Sequence, residues 1–177
     1  MEIGLKSFLP KLAGRLQTTP GSLYEYQRRL VALGVVRQRK GKGPGTGVRL
    51  TAENLAALIL SQMFTENPSL VDERVKWLCK STPMEKCAFT GAATLREAVA
   101  RILLMPGIER RPFHRLVVYR DQLESTLYFQ TAPSSIAKTF FEAGRNLAEY
   151  TPISTIRELR HTPLFDIAGD FQSEVGA

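Results

Sequence analysis

Residues 9–36 read LPKLAGRLQTTPGSLYEYQRRLVALGVV, and the fold turns on how this stretch divides. Leu5, Leu9, Leu12, Ala13 and Leu16 recur at helical spacing. Proline suits the first turn of a helix and not its interior, since it lacks an N–H and its ring crowds the preceding turn. Pro10 therefore predicts a short lead-in and then a helix over residues 9–16. Gln17-Thr18-Thr19 makes a tight turn. Thr19 is a natural N-cap, and Pro20 stands where a first-turn residue can lack its N–H. A second helix is predicted over residues 20–33, with Leu23, Tyr26, Leu30 and Leu33 on its apolar face and Gly34 as its stop.

Working outward, Val35–Arg39 predicts a short strand and Val48–Leu50 its return, with the glycine-rich GKGPGTG of residues 41–47 as a hairpin tip. Thr51 then caps a third helix over residues 52–64, with Leu55, Leu58, Ile59 and Met63 on one side. Helix, turn, helix and hairpin follow in that order. The major groove of B-DNA is about 12 Å wide and admits one α-helix. A helix-turn-helix braces its second helix with its first, so that the second presents side chains to base edges.

At about 100° per residue, the face of residues 20–33 opposite the leucines carries Tyr24, Glu25 and Arg28, with Ser22 and Arg29 on its flank. Arg can grip guanine O6 and N7 together, Glu can accept from cytosine N4, and Tyr or Ser can reach a phosphate or a thymine methyl. Around the hairpin tip lie Arg37, Arg39, Lys40, Lys42 and Arg49. Such a wing lies along the phosphates or enters the minor groove, with glycine permitting close approach and the cations neutralising charge. With Thr19 at the turn, these residues form the predicted DNA-contacting set. A nucleotide-phosphate loop is disfavoured, because no Gly-Lys-Ser/Thr follows and the loop does not open a helix.

The ordered strings LPKLAGRLQTTPGSLYEYQRRLVALGVV, RQRKGKGPGTGVR and VRLTAENLAALIL resemble a winged helix-turn-helix regulator over residues 5–65. The arrangement is similar to the MerR type, in which a wing and a further helix follow the helix-turn-helix, and to regulators of bacterial phages and prophages. It departs from the MerR pattern in a longer second helix and in lacking a heptad-repeat dimerisation helix. The resemblance implies sequence-specific binding of a homodimer to an operator or promoter, with Ser22, Tyr24, Glu25, Arg28 and Arg29 at recognition positions and Arg39, Lys40 and Lys42 in the wing.

Charge distribution points the same way. Residues 1–50 hold ten Lys/Arg against Glu2 and Glu25, net +8, while residues 51–177 hold fourteen Lys/Arg against fifteen Asp/Glu, net −1. The whole excess of the chain lies in the first segment, as in a polyanion-binding module joined to a neutral partner. Few aromatics interleave with these cations, which favours duplex over single strands. A non-specific nucleic-acid or RNA-binding accessory protein for replication or packaging, and a protein-interaction adaptor on the same fold, are the alternatives.

Asn67-Pro68-Ser69 marks a domain boundary between residues 1–66 and a mixed α/β domain at 72–177, serving dimerisation, ligand sensing or protein contact. The fold class expected is therefore α+β: a winged helix-turn-helix followed by a C-terminal domain with a smaller sheet. Within the latter, residues 71–80 and 95–105 predict helices, and residues 114–120 and 125–131 predict a hairpin that could pair across a dimer. Residues 135–148 predict a helix, residues 155–160 a short one, and the end a loose tail.

Cys79, Cys87, His114 and His161 lack zinc-site spacing, and no nucleophile motif accompanies the two histidines. No catalytic residue, metal or cofactor is expected. No run of 18 apolar residues and no secretory leader is present, so a cytoplasmic protein with reduced thiols and no membrane association is expected.

Overall fold

A computed structural model of the chain describes residues 3–39, 47–143 and 155–176. The first helix, α1 (Leu5–Arg15), starts a turn earlier than Pro10 predicts and takes that proline into its interior. Leu5, Phe8, Leu9, Leu12 and Ala13 are all buried, and this continuous apolar face outweighs the one backbone bond proline cannot donate. Pro10 is exposed, so water can serve the carbonyl left over. The turn after α1 closes with Thr18 N–H donating to the Ala13 carbonyl at 3.0 Å, while Gln17 takes a left-handed φ of 52°.

Helix α2 (Pro20–Ala32) buries Leu23, Tyr26, Gln27 and Leu30, and ends before Gly34, whose φ of 68° turns the chain. Leu33 caps the helix half-buried rather than completing its core face. Among the described residues the predicted hairpin shows an antiparallel bridge in place of paired strands, with Arg39 and Gly47 exchanging N–H···O bonds of 3.0 and 3.1 Å. Residues 48–50 pair instead with the chain ahead of α1. Leu5 N–H donates to the Val48 carbonyl at 2.7 Å, and Leu50 N–H to the Ile3 carbonyl at 2.9 Å. Val36, Val48 and Leu50 are buried there, so core packing decides this pairing. Lys40, Lys42 and the rest of the glycine-rich tip before Gly47 lie outside the described residues.

Helix α3 (Ala52–Phe64) is the hub, with Thr51 Oγ1 accepting from Asn54 N–H at 3.2 Å as its cap. Its burial extends beyond the predicted side to Ala56, Ala57, Leu60, Ser61 and Phe64, because α2, α4, α5 and the sheet all pack around it. A 3-10 turn at Pro68–Leu70 occupies the predicted boundary, and the apolar core continues past it. Helices α4 (Glu73–Cys79) and α5 (Leu95–Leu104) follow. Thr94 caps α5, and Glu97 reaches back to accept from Ala93 N–H at 2.8 Å. A single turn, α6 (Gly107–Arg110), leads into the sheet.

Strands β1 (Phe113–Tyr119) and β2 (Glu124–Ala132) form the predicted hairpin, with Leu116 opposite Leu127. Three later expectations fail. Residues 135–142, predicted helical, form β3 (Ser135–Glu142) against β2. Thr139 and Phe141 point into the core while Ile136, Lys138 and Phe140 are exposed, a two-residue alternation that a partner strand rewards. Residues 156–160 form β4 (Ile156–Arg160) against β1 rather than a helix. The expected loose tail is α7 (His161–Val175), which buries Leu164, Ile167, Ala168 and Phe171 and packs on α5 and α1. The antiparallel sheet has the order β3-β2-β1-β4. The fold is therefore α+β. Among the described residues no helix is long and apolar enough to cross a membrane.

Candidate nucleic-acid interface

The rotation of α2 is fixed from three sides. Thr19 Oγ1 accepts from Ser22 N–H at 3.1 Å, so Thr19 acts as a cap. Leu23 and Leu30 are fully buried, and the Tyr26 hydroxyl donates to the Thr65 carbonyl at 2.8 Å, tying α2 to the end of α3. With that face inward, Glu25, Arg28 and Arg29 are exposed, and Ser22 and Tyr24 are half-buried. Lys6 on α1 sets its ammonium 4.9 Å from the centre of the Tyr24 ring. It extends the basic surface across to α1 and is absent from the sequence-predicted set. Its signal was its place beside buried Leu5, on the outward side of a helix that Pro10 seemed to forbid.

Arg28 does not stand alone. Its Nη1 donates to both Glu25 oxygens, at 3.1 and 3.2 Å. Both side chains stay about half exposed (64% and 48%), so the pair can open to a ligand at little cost. Arg29 and Arg37 are exposed and form no ion pair among the described residues. Arg39 is exposed at the bridge to Gly47. Arg49 is half-buried, bridges to Gly4, and offers its carbonyl to Asn54 Nδ2 at 3.1 Å.

The remaining basic residues of α1 point elsewhere. Arg15 donates to Asp170 and Asp166, each at 3.0 Å, and Lys11 is bound to Glu174. The three acids recur every four residues along α7, a single acidic ridge laid against α1. The hydrogen bond that Lys11 donates to Glu174 raises the Lys11 pKa above its ordinary value, and the one donated to Asp170 does the same for Arg15. The basic excess of the N-terminal segment thus divides into a part neutralised within the chain and a part facing outward.

Elsewhere the described residues offer less chemistry. Cys79 and Cys87 are free and buried, and burial pushes the Cys79 thiol up to about 12. No three His, Cys, Asp or Glu side chains among the described residues group closely enough to hold a metal ion. A cleft of about 410 Å³ lies between Val35, Glu53, Lys80 and Thr94. Its wall is spanned by Arg96, which donates to the Val35 carbonyl at 2.9 Å and the Glu53 carbonyl at 3.0 Å. That arginine is committed to bracing the chain after α2. No family model, curated protein or solved structure matches this chain.

Proposed function

We propose that the chain is a sequence-specific double-stranded-DNA-binding transcriptional regulator acting as a homodimer, built on an N-terminal winged helix-turn-helix. The observation that carries this reading is the outward face of α2. A capped helix, rotated by buried Leu23, Tyr26 and Leu30, presents Glu25, Arg28 and Arg29 to solvent, with Lys6 beside them. In this reading α2 lies in the major groove. Arg28 leaves Glu25 to take guanine O6 and N7, and Glu25 is freed to accept from cytosine N4. Ser22, Tyr24, Arg29 and Arg37 meet the phosphates and fix register. Arg39, Lys40, Lys42 and Arg49 serve the segment that would act as the wing. Two copies would read half-sites about 34–36 Å apart.

The test is a gel-shift titration of the full chain against random duplex, single-stranded DNA and RNA, followed by selection of bound sequences from a duplex pool. A duplex preference and a two-fold symmetric selected site are expected. Equal affinity for all three nucleic acids would sink the reading. Within a selected site, Arg28→Ala should cost about 1–3 kcal/mol and relax base choice at one position.

A further inference from the structure

The sheet keeps one face on the helices and turns the other outward, and the strand register orders the outward side chains into three cross-strand rows. The first row is Lys138, Tyr128, Arg115 and Arg160, running from β3 to β4. The second is Phe140, Thr126, Val117 and Glu158, in which Thr126 and Val117 are already buried within the chain. The third is Glu142, Glu124, Tyr119 and Ile156. A row carrying Lys138, Arg115 and Arg160 and a row carrying Glu142 and Glu124 therefore flank one whose exposed apolar side chain is Phe140. Phe140 is 39% exposed and Ile156 53%. Lys138 and Glu142 are exposed and form no ion pair among the described residues. Glu124 and Glu142 sit opposite each other, and burial together with that neighbouring charge raises the Glu124 pKa above the usual carboxylate value.

We propose that this outward sheet face is the interface between two copies of the chain, packed face to face about a two-fold axis running along the Phe140–Val117 row. The axis direction follows from charge. A two-fold perpendicular to the strands reverses the order of the rows and keeps each strand over its own copy. Lys138 then meets Glu142 of the second copy, Phe140 meets Phe140, and the Arg115–Tyr128 pair, its guanidinium 4.6 Å from the ring centre within one chain, lies over Tyr119 and Glu124 of the other. A two-fold parallel to the strands would instead lay the cationic row on itself and leave Glu124 and Glu142 without a cation. Glu158 is already engaged by Arg115 and Arg160 at 3.5 and 2.9 Å, so its approach to its own copy at the margin is neutralised. The contact is isologous, as a closed dimer requires.

The ordered rows cover about 14 Å across the strands and about 14 Å along them, about a quarter of the roughly 800 Å² per partner of a standard interface, so a weak, concentration-dependent association is expected. The surface supplies the dimer that the DNA-binding reading calls for and rests on that reading for its use. Its test needs no DNA.

Sedimentation equilibrium of the full chain up to about 100 µM should show an average mass that rises with concentration from the 19.8 kDa of one chain toward twice that value. Lys138→Glu makes both reciprocal contacts acid on acid, and Glu142→Lys makes both cation on cation. Each variant alone should lose at least tenfold in association. Mixed one to one, they should recover a dimer, because both contacts then pair opposite charges. Dimers of either variant at wild-type strength would overturn the proposal. So would a mixture that stays monomeric, or a wild type monomeric across the range. Phe140→Cys gives an independent reading should a charge variant fail to fold: it sets two thiols near the axis, and oxidation should yield a covalent dimer on a non-reducing gel. Absence of that dimer would overturn the interface. A mixture that dimerises yet ignores duplex would leave this interface standing and remove the DNA reading. Duplex binding by a Lys138→Glu variant that still dimerises would do the reverse.

Discussion

Helices α1 and α2 are adjacent, similar in length and both basic, yet beyond Lys6, which joins the surface of α2, their cations meet opposite fates. Lys11 and Arg15 on α1 lie against the Asp166, Asp170 and Glu174 ridge of α7. Arg28 and Arg29 on α2 face solvent, the first steadied by Glu25. The seam and the surface thus differ in what a polyanion could find there. A segment's net charge overstates the field it offers whenever a distant part of the chain supplies counter-charges. Exposed ion pairs of the seam's kind contribute little stability, about 0–1 kcal/mol each, so their main effect is on where charge remains available.

The largest effect is expected where the outward surface is braced. Arg96, with 23% of its side chain exposed, joins α5 to the Val35 carbonyl behind α2 and to the start of α3. Arg96→Ala leaves those carbonyls without their charged donor and should cost about 2–3 kcal/mol in urea denaturation. A loss below about 0.5 kcal/mol, the range of an ordinary surface change, would show that the brace is not holding the segment.

Next comes a direct contrast of the two cation sets. In the proposed DNA reading, Arg29→Ala with Arg37→Ala should lower the salt slope of duplex binding by about two units, one per phosphate contact. Lys11→Ala with Arg15→Ala should leave that slope unchanged, since α7 already holds both. If the second pair changed the slope as much as the first, the seam would have to open on binding, and the contrast drawn between the helices would collapse.

A smaller effect, about 1 kcal/mol in thermal unfolding, is expected for Thr19→Ala, which strands the Ser22 N–H at the start of α2. Thr19→Ser should restore it. Equal losses for both substitutions would move the role of Thr19 from its hydroxyl to its methyl group.

How much was legible follows the range of the signals. The caps at Thr19, Thr51 and Thr94 and the stop at Gly34 are local chemistry, and α2, α3 and α5 lie where those residues place them. The outward positions of Glu25, Arg28 and Arg29 were legible for the same reason, through helical periodicity. Pro10 misled because its local penalty is set against five buried side chains, a sum that only the packed helix reveals. Strands β3 and β4 were hidden for a different reason. The run SIAKTFFE mixes exposed Ile136 and Phe140 with buried Phe141, so its alternation shows only once β2 fixes which face is inside. Ile156–Arg160 has one core residue, Leu159, and becomes a strand through pairing with β1 forty residues earlier in the chain. The α7 ridge could not be matched to α1 before the fold brought residues 11 and 174 together.

Glu66 offers the finest comparison, because it neutralises cations at the other end of the helical layer. It lies just past α3 and accepts from Arg120 at 2.9 Å and from Arg157 at 3.2 Å, joining that helix to β1 and β4. Arg120 has only 10% of its side chain exposed, so its charge depends on this partner more than Arg15 depends on α7. The hydrogen bond from Arg120, then that from Arg157, holds the Glu66 carboxyl below its ordinary value of 4.5. In the unfolded chain the carboxyl binds its proton nearer 4.5, so its contribution to stability is fully present above that pH and drains away as pH falls through the lower, folded value. Glu66→Gln removes this dependence. Denaturation midpoints of wild type and variant should differ at about pH 6, and the gap should shrink as pH falls below 4.5. Acids shared by both proteins, such as Glu97, whose carboxyl the Ala93 N–H holds below its ordinary value, shift the two curves together and leave the change in the gap readable. A gap that stayed constant over that window would mean that Glu66 holds the sheet by its shape and not by its charge.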